Sequence, residues 1–218
     1  MLAGVAVVIM GAGIPGERPR VLDLLAKHEA ATYAIRVIGA TPATDCQRVL
    51  DPALFMEGPL PPLLRPDFLP IISSDSLATM LLRRSGGSVE GFVIEGPLAG
   101  GHNAPPRGPL KLSDDGQPIY GARDVVNLEA MRKIGLPFWL GGAYGSPEKV
   151  REALADGAAG VQVGTAFALC EESALVPDVR RALVRKAQAG QAKVFTDPVV
   201  SPTGFPFKVA QLEGTLSE

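Results

Sequence analysis

The sequence predicts an α/β protein of parallel strands covered by helices. Three observations carry that reading. Short apolar runs alternate along the chain with helix-like segments. The runs are continuously apolar, as suits strands buried on both faces, and do not alternate apolar with polar. Gly (25) and Pro (20) are spread through the chain as punctuation between elements. With 218 residues, 46% of them hydrophobic, the chain can bury a full core, and one domain over 1–218 is the simplest organisation.

The apolar runs are 5–10, 33–38, 68–72, 91–94, 137–140 and 160–163. The first helix, 19–29, places Val21, Leu22, Leu25 and Ala26 at helical spacing. The second, 76–84, opens on Ser76 and carries Leu77, Met80 and Leu81 on one face. A third, 125–134, precedes Gly135 and Pro137, as a helix end should. In the fourth, 147–156, Ser146 can cap, Pro147 sits where its missing N–H costs nothing, and Gly157 is a left-handed stop. A fifth, 177–189, carries Arg180, Arg181, Arg185 and Lys186, read as a solvated face. Strand–helix–strand repetition of this kind predicts parallel pairing with right-handed crossovers. Six strands are visible, and a closed (β/α)₈ barrel needs eight. The stretches 40–67 and 103–124 are longer than ordinary connections and rich in proline. After barrel strands, such loops serve as lids and substrate walls.

Composition excludes several classes. Net charge is −2, with 20% charged residues and no block of one sign, which argues against nucleic acid or a membrane surface as partner. No apolar run approaches the ~20 residues of a spanning helix. The start, 1–10, lacks a basic leader and reads as a strand. Cys46 and Cys170 stand far apart with no metal or disulfide spacing, which fits a reducing, cytoplasmic setting.

Gly11-Ala12-Gly13-Ile14-Pro15-Gly16 matches the dinucleotide fingerprint G-x-G-x-x-G letter for letter. Two features argue against that use. Pro19 places the helix start after the third glycine, and the next apolar run ends Val37-Ile38-Gly39-Ala40, without the acid that would hold a ribose. The remaining reading is a glycine-lined strand end that a flat ligand can approach.

Three segments leave strands for glycine-rich loops: Glu95 to Asn103, Leu140 to Ser146, and Gln162 to Phe167. In a barrel these meet at the C-terminal face, where active sites lie. The last two follow consecutive strands and lead into helix starts. Bare backbone N–H groups at a helix N-terminus bind phosphate without a basic side chain.

The run Ala99-Gly100-Gly101-His102 resembles the nitronate monooxygenase signature. So do Leu136-Pro137-Phe138-Trp139-Leu140-Gly141-Gly142, Glu152 through Ala158, Gly160-Val161-Gln162-Val163-Gly164-Thr165-Ala166-Phe167 and Glu172-Ser173. Gly11-Ala12-Gly13-Ile14-Pro15 resembles that family's strand end as well. The resemblance implies an FMN-dependent (β/α)₈ barrel that oxidises alkyl nitronates with O₂ to a carbonyl compound and nitrite. It implies that Gly142, Gly164 and Thr165 bind the FMN phosphate, with Gly101, Gly141 and Gln162 close by. His102 becomes the catalytic histidine, a residue type whose pKa near neutrality suits proton removal. His28 lies in an ordinary helix and has no role.

The chain departs from the family pattern at three points. Gly142-Ala143-Tyr144-Gly145 stands where Gly-Gly-Ile is usual, Ala166 where an Arg is usual, and the stretch 102–108 is longer. Arg107 and Arg123 become candidate anion contacts in the lid. Matched to the family, residues 5–10 fall at the third barrel strand. The expectation is therefore an incomplete barrel of about six βα units, with exposed apolar edges and a tendency to self-association or poor solubility. Two rival readings are an FMN- and NAD(P)H-dependent enoyl-thioester reductase and a non-catalytic barrel fragment.

Overall fold

The computed structural model describes residues 1–11, 14–35, 41, 46–56, 58 and 61–217. In chain order its elements are β1 (Val7–Met10), α1 (Arg18–Ala26), β2 (Ala31–Ala34), β3 (Gln47–Leu50), β4 (Asp67–Ile72), α2 (Asp75–Arg84), β5 (Phe92–Glu95), α3 (Leu128–Ile134), β6 (Phe138–Gly141), α4 (Pro147–Ala155), β7 (Gly160–Gln162), α5 (Thr165–Ala168), α6 (Pro177–Gln188), β8 (Lys193–Asp197) and β9 (Phe207–Gln211). The strands β1-β4-β5-β6-β7 follow one another in one sheet, and β2-β3 and β8-β9 form two separate pairs. The α/β class is as expected, but among the described residues five strands, not six, join the main sheet. The run 33–38 is the exception. Its described part falls largely in β2, which pairs antiparallel with β3, from Ala31↔Leu50 to Ala34↔Gln47. Thr32 and Ala34 are exposed, the pattern of a ribbon wet on one side. Residues 36–38 lie outside the described residues, as do Ala12, Gly13, Gly39, Ala40, Pro42 and Pro59.

The chain forms two compact units. The first comprises Met1–Ile72, Ser76–Phe92 and Ile134–Pro137. Here β1 and β4 pair in parallel, from Val7↔Asp67 to Met10↔Pro70. Phe68, Leu69 and Ile72 of β4 are buried, as are Ala78 and Leu81 of α2; of the three residues the 76–84 pattern marked, Leu81 is buried and Leu77 and Met80 are half-buried. Val7 and Ile9 are 45% and 52% exposed, so β1 presents apolar side chains to solvent. α1 starts at Arg18 with Pro19 in its first turn, after the glycine run. A Cβ on Gly11 would lie 2.7 Å from Ile71 Cδ1, so this glycine makes room for a neighbouring side chain of its own unit.

Arg65 ties this unit together from within the proline-rich stretch. Its guanidinium pairs with Asp23 of α1 and, at 2.7 Å, with Glu90, and it donates to the carbonyls of Ser88 at 2.6 Å and Pro66 at 2.8 Å. Glu90 also accepts the Phe68 N–H at 2.7 Å, which pins the start of β4. Arg65→Met should therefore destabilise this unit by about 2–4 kcal/mol, because two half-buried carboxylates lose their common partner. Urea unfolding checks this, and a loss below about 1 kcal/mol, the scale of exposed pairs, would contradict it.

The second unit comprises Ser73–Asp75, Val93–Lys133 and Phe138–Glu218. β6 and β7 pair in parallel from Trp139↔Gly160 to Gly141↔Gln162. Val93, Ile94, Phe138, Leu140, Met131, Ala153 and Ala158 supply its core. α4 is built as its sequence predicts: Ser146 Oγ accepts the Lys149 N–H at 3.3 Å, Pro147 opens the helix, and Gly157 follows with φ +88°. On α6, Arg181 and Arg185 are exposed, as the solvated-face reading expects, whereas Arg180 is half-buried and donates to the carbonyls of Cys170 at 3.2 Å and Glu171 at 2.8 Å, and Lys186 is half-buried. The last two strands form an antiparallel hairpin. β8 and β9 run from Lys193↔Gln211 to Asp197↔Phe207. Among the described residues, no helix is long and apolar enough to cross a membrane.

Candidate functional site

The candidate site lies in the second unit and is laid out by the C-terminal ends of β5, β6 and β7. Those ends are Glu95, Gly141 and Gln162. Gln162 Nε2 donates to Glu95 Oε1 at 2.8 Å, so two side chains join across the intervening strand. Gly141 permits this crossing: a Cβ there would lie 3.2 Å from Glu95 Cγ and 3.7 Å from Gln162 Cβ. Burial pushes the Glu95 carboxyl above the usual carboxylate range, and the bond from Gln162 opposes part of that rise. Sequence reasoning named Gly141 and Gln162 but gave Glu95 no role. An acid directly after a buried apolar strand was the available signal.

A raised carboxyl has a definite linkage sign. The folded state favours the neutral acid, so this contribution to stability is complete at low pH and is lost as pH rises through the folded pKa. Glu95→Gln keeps an acceptor for Gln162 and carries no charge. Its stability relative to the parent chain should therefore increase with pH above the ordinary glutamate range. Denaturant unfolding from pH 4 to pH 8 measures this, and a relative stability that falls with pH would contradict it.

Beyond Gly141 the backbone turns sharply. Gly142 has φ +98° and Ala143 φ +62°, two left-handed residues in succession. A Cβ on Gly142 would lie 2.6 Å from the Ala99 backbone N and 3.0 Å from the carbonyl carbon of Leu98. The loop after β5 thus packs directly on Gly142, and glycine is needed there both for this packing and for its φ. Ala143 is exposed and bears left-handed strain, so Ala143→Gly should raise stability by about 1 kcal/mol, read from thermal unfolding. Gly164 is different. It precedes α5, and nothing lies within 4 Å of where its Cβ would stand. Thr165 to Ala168 are exposed, and Thr165 Oγ1 is 4.0 Å from the position a Cβ on Gly100 would take. Gly164, Thr165 and Gly100 therefore border open space that the protein's own side chains do not fill.

His102 is held by the C-terminal hairpin. Its Nε2 shares a 2.8 Å hydrogen bond with Ser201 Oγ, and its ring meets Phe207 edge-on at 4.7 Å between centroids. The backbone is fixed on both sides: Lys208 N–H donates to the Gly101 carbonyl at 2.9 Å and Asn103 N–H to the Pro206 carbonyl at 2.8 Å. Ser201 is buried and its hydroxyl also meets Thr203 Oγ1 at 2.7 Å. Among the described residues Nδ1 has no protein partner, and the His102 side chain is exposed. When Nε2–H donates to Ser201, Nδ1 presents a lone pair to solvent. The hairpin that sets this orientation was not foreseen from sequence. Of the two arginines proposed as anion contacts, Arg107 donates from Nη2 to the Ser73 carbonyl at 2.9 Å, and Arg123 has no carboxylate partner among the described residues. Those residues also hold no group of His, Cys, Asp and Glu that could bind a metal ion.

Over nearly its whole length, 97%, the chain superposes on FabK from Thermotoga maritima, with a TM-score of 0.57 and 22% identity, which shows a shared fold. It covers 48% of that chain, about half its length. A nitroalkane oxidase from Streptomyces ansochromogenes matches with 25% identity and a TM-score of 0.46, covering 66% of this chain and 38% of its own. No curated protein matches. The nitronate monooxygenase family model matches residues 67–200, more than half of the chain, and the chain belongs to that family.

Proposed function

We propose that this chain carries the flavin site of an FMN-dependent oxidoreductase that converts alkyl nitronates and O₂ to a carbonyl compound and nitrite. The observation that supports it most is the cluster at the strand ends of the second unit. There the family-type residues Gly101, His102, Gly141, Gly142, Gln162, Gly164 and Thr165 stand at the strand ends and the loops that follow them, with open space in front of Gly164. Because the chain spans about half of the solved FabK chain, the activity is assigned here to the site and its family.

The residues fit an FMN phosphate. The space in front of Gly164 is open, and a helix start and a hydroxyl border it. Gly142, Gly164 and Thr165 would hold the phosphate through N–H groups and the Thr165 hydroxyl. When bound, the flavin supplies the electron transfer between substrate and O₂. His102 works at Nδ1, removing the α-proton of a neutral nitroalkane or donating a hydrogen bond to the nitronate. Ser201 and Phe207 hold its ring in place. Glu95 and Gln162 fix a polar edge on the strand-end row, and Gly100 and Gly101 leave that row uncovered. The partners are a small anionic substrate and O₂, in a cytoplasmic setting. Oxygen uptake and nitrite release on adding an alkyl nitronate test the reading. NAD(P)H consumption with an enoyl thioester, and no nitrite, would transfer the chain to the reductase class. No turnover of either kind would leave a non-catalytic fold.

A further inference from the structure

We infer that loop 103–124 contains a second binding site, for a phosphate monoester with an apolar or aromatic body. The loop folds on itself. Ser113 and Gln117 close a tight turn, with Ser113 N–H donating to the Gln117 carbonyl at 2.8 Å and Gly116 N–H to the Ser113 carbonyl at 2.9 Å. Leu112 and Pro118 bridge, and Ile119 N–H reaches the Lys111 carbonyl at 2.9 Å. Asp124 ties the two ends of the loop. Its Oδ1 accepts the Arg107 N–H at 2.8 Å and its Oδ2 accepts the Gly121 N–H at 2.7 Å. The walls are thus set by bonds within the loop before any ligand arrives, which lowers the ordering cost of binding.

These walls border an open groove of about 440 Å³, a volume in the range of small-molecule sites. Arg107, Lys111 and Arg123 line it, with Asp124 as the one carboxylate. Asp124 is occupied by two backbone amides, and Lys111 and Arg123 have no carboxylate partner among the described residues. The Arg123 guanidinium stands 3.8 Å from where a Cβ on Gly108 would be, at a backbone φ of +100° that favours glycine. A cationic excess facing one bound acid suits a dianion better than a single carboxylate, and a guanidinium fork matches phosphate oxygens. The remaining wall is apolar. Pro106, Pro109 and Ile119 line it, with Ile119 51% exposed. Tyr120 also lines the groove, and its hydroxyl donates to the Ala104 carbonyl at 3.1 Å. None of these residues belongs to the strand-end row or to the His102 clamp. The site stands or falls independently of the flavin reading.

Calorimetric titration of the whole chain with phenyl phosphate tests the inference. We expect saturable one-to-one binding, weakened about tenfold or more in Arg123→Gln and in Lys111→Met, and unchanged in Arg181→Gln on the solvated face of α6. All three side chains are exposed, so circular dichroism should report an intact fold in each variant. Absence of saturable binding, or binding that Arg123→Gln and Lys111→Met leave unchanged, would overturn the site. Equal or tighter binding of 3-phenylpropionate would overturn the phosphate assignment. Equal binding of inorganic phosphate would overturn the role given to the apolar wall.

Discussion

Replacing His102 with Gln should lower turnover of a neutral nitroalkane by about 10²–10⁴-fold, the usual worth of a positioned general base. The preformed nitronate should lose much less, because its proton is already gone. This asymmetry follows from the ring's anchoring. Nε2 is tied to Ser201 and Phe207 supports the ring edge, which leaves Nδ1 as the nitrogen able to meet substrate. Ser201→Ala should then act through His102. It removes the bond that fixes the ring and its tautomer, and should reduce kcat with the nitroalkane about tenfold while moving the pH profile. A histidine serving only to hold the hairpin would give another result. His102→Gln would lower the melting temperature and reduce both substrates' turnover equally, and steady-state kinetics on the two substrates with a parallel thermal scan separate the cases.

Gly142→Ala should be the most damaging single change for the fold of the second unit, costing about 2–5 kcal/mol. Left-handed strain on a non-glycine residue accounts for about 1–2 kcal/mol of this. The rest is contact, since the added Cβ would stand 2.6 Å from a backbone nitrogen that cannot swing away as a flexible side chain could. Gly164→Ala should differ sharply. Its Cβ would enter open space, so stability should change little while affinity for FMN falls. Urea unfolding of the two variants, with flavin titration, tests the contrast. Equal destabilisation of both would mean that the two glycines serve packing alike.

The sequence made the parallel strands legible because they are short, continuously apolar and bounded by Gly or Pro. The cap of α4, Ser146-Pro147 with Gly157 at the far end, was legible because each residue has a single local reason to be there. The run 33–38 misled because apolar character does not distinguish a parallel strand from half of a ribbon, and pairing with β3 depends on residues more than a dozen positions away. The β8–β9 hairpin was hidden for the same reason. Its residues alternate modestly, and β9 and the residue before it bond to Gly101 and Asn103, far off in sequence. The strand-end glycines were legible as a group. Their separate reasons were not: Gly141 admits a Glu95–Gln162 bond, Gly142 admits a loop, and Gly164 faces open space. Those reasons become visible only once neighbouring strands are placed. Glu95 follows a buried apolar strand, which was a signal, but the Gln162 that bonds it lies 67 positions away.

The measurement that bears most directly on the central claim is the visible absorbance spectrum of the gently purified chain, with identification of any released cofactor. The strand-end cluster predicts a flavin spectrum and FMN at one equivalent per chain, bound by the untreated protein or taken up on addition. A colourless protein that does not take up added FMN would contradict the proposed site.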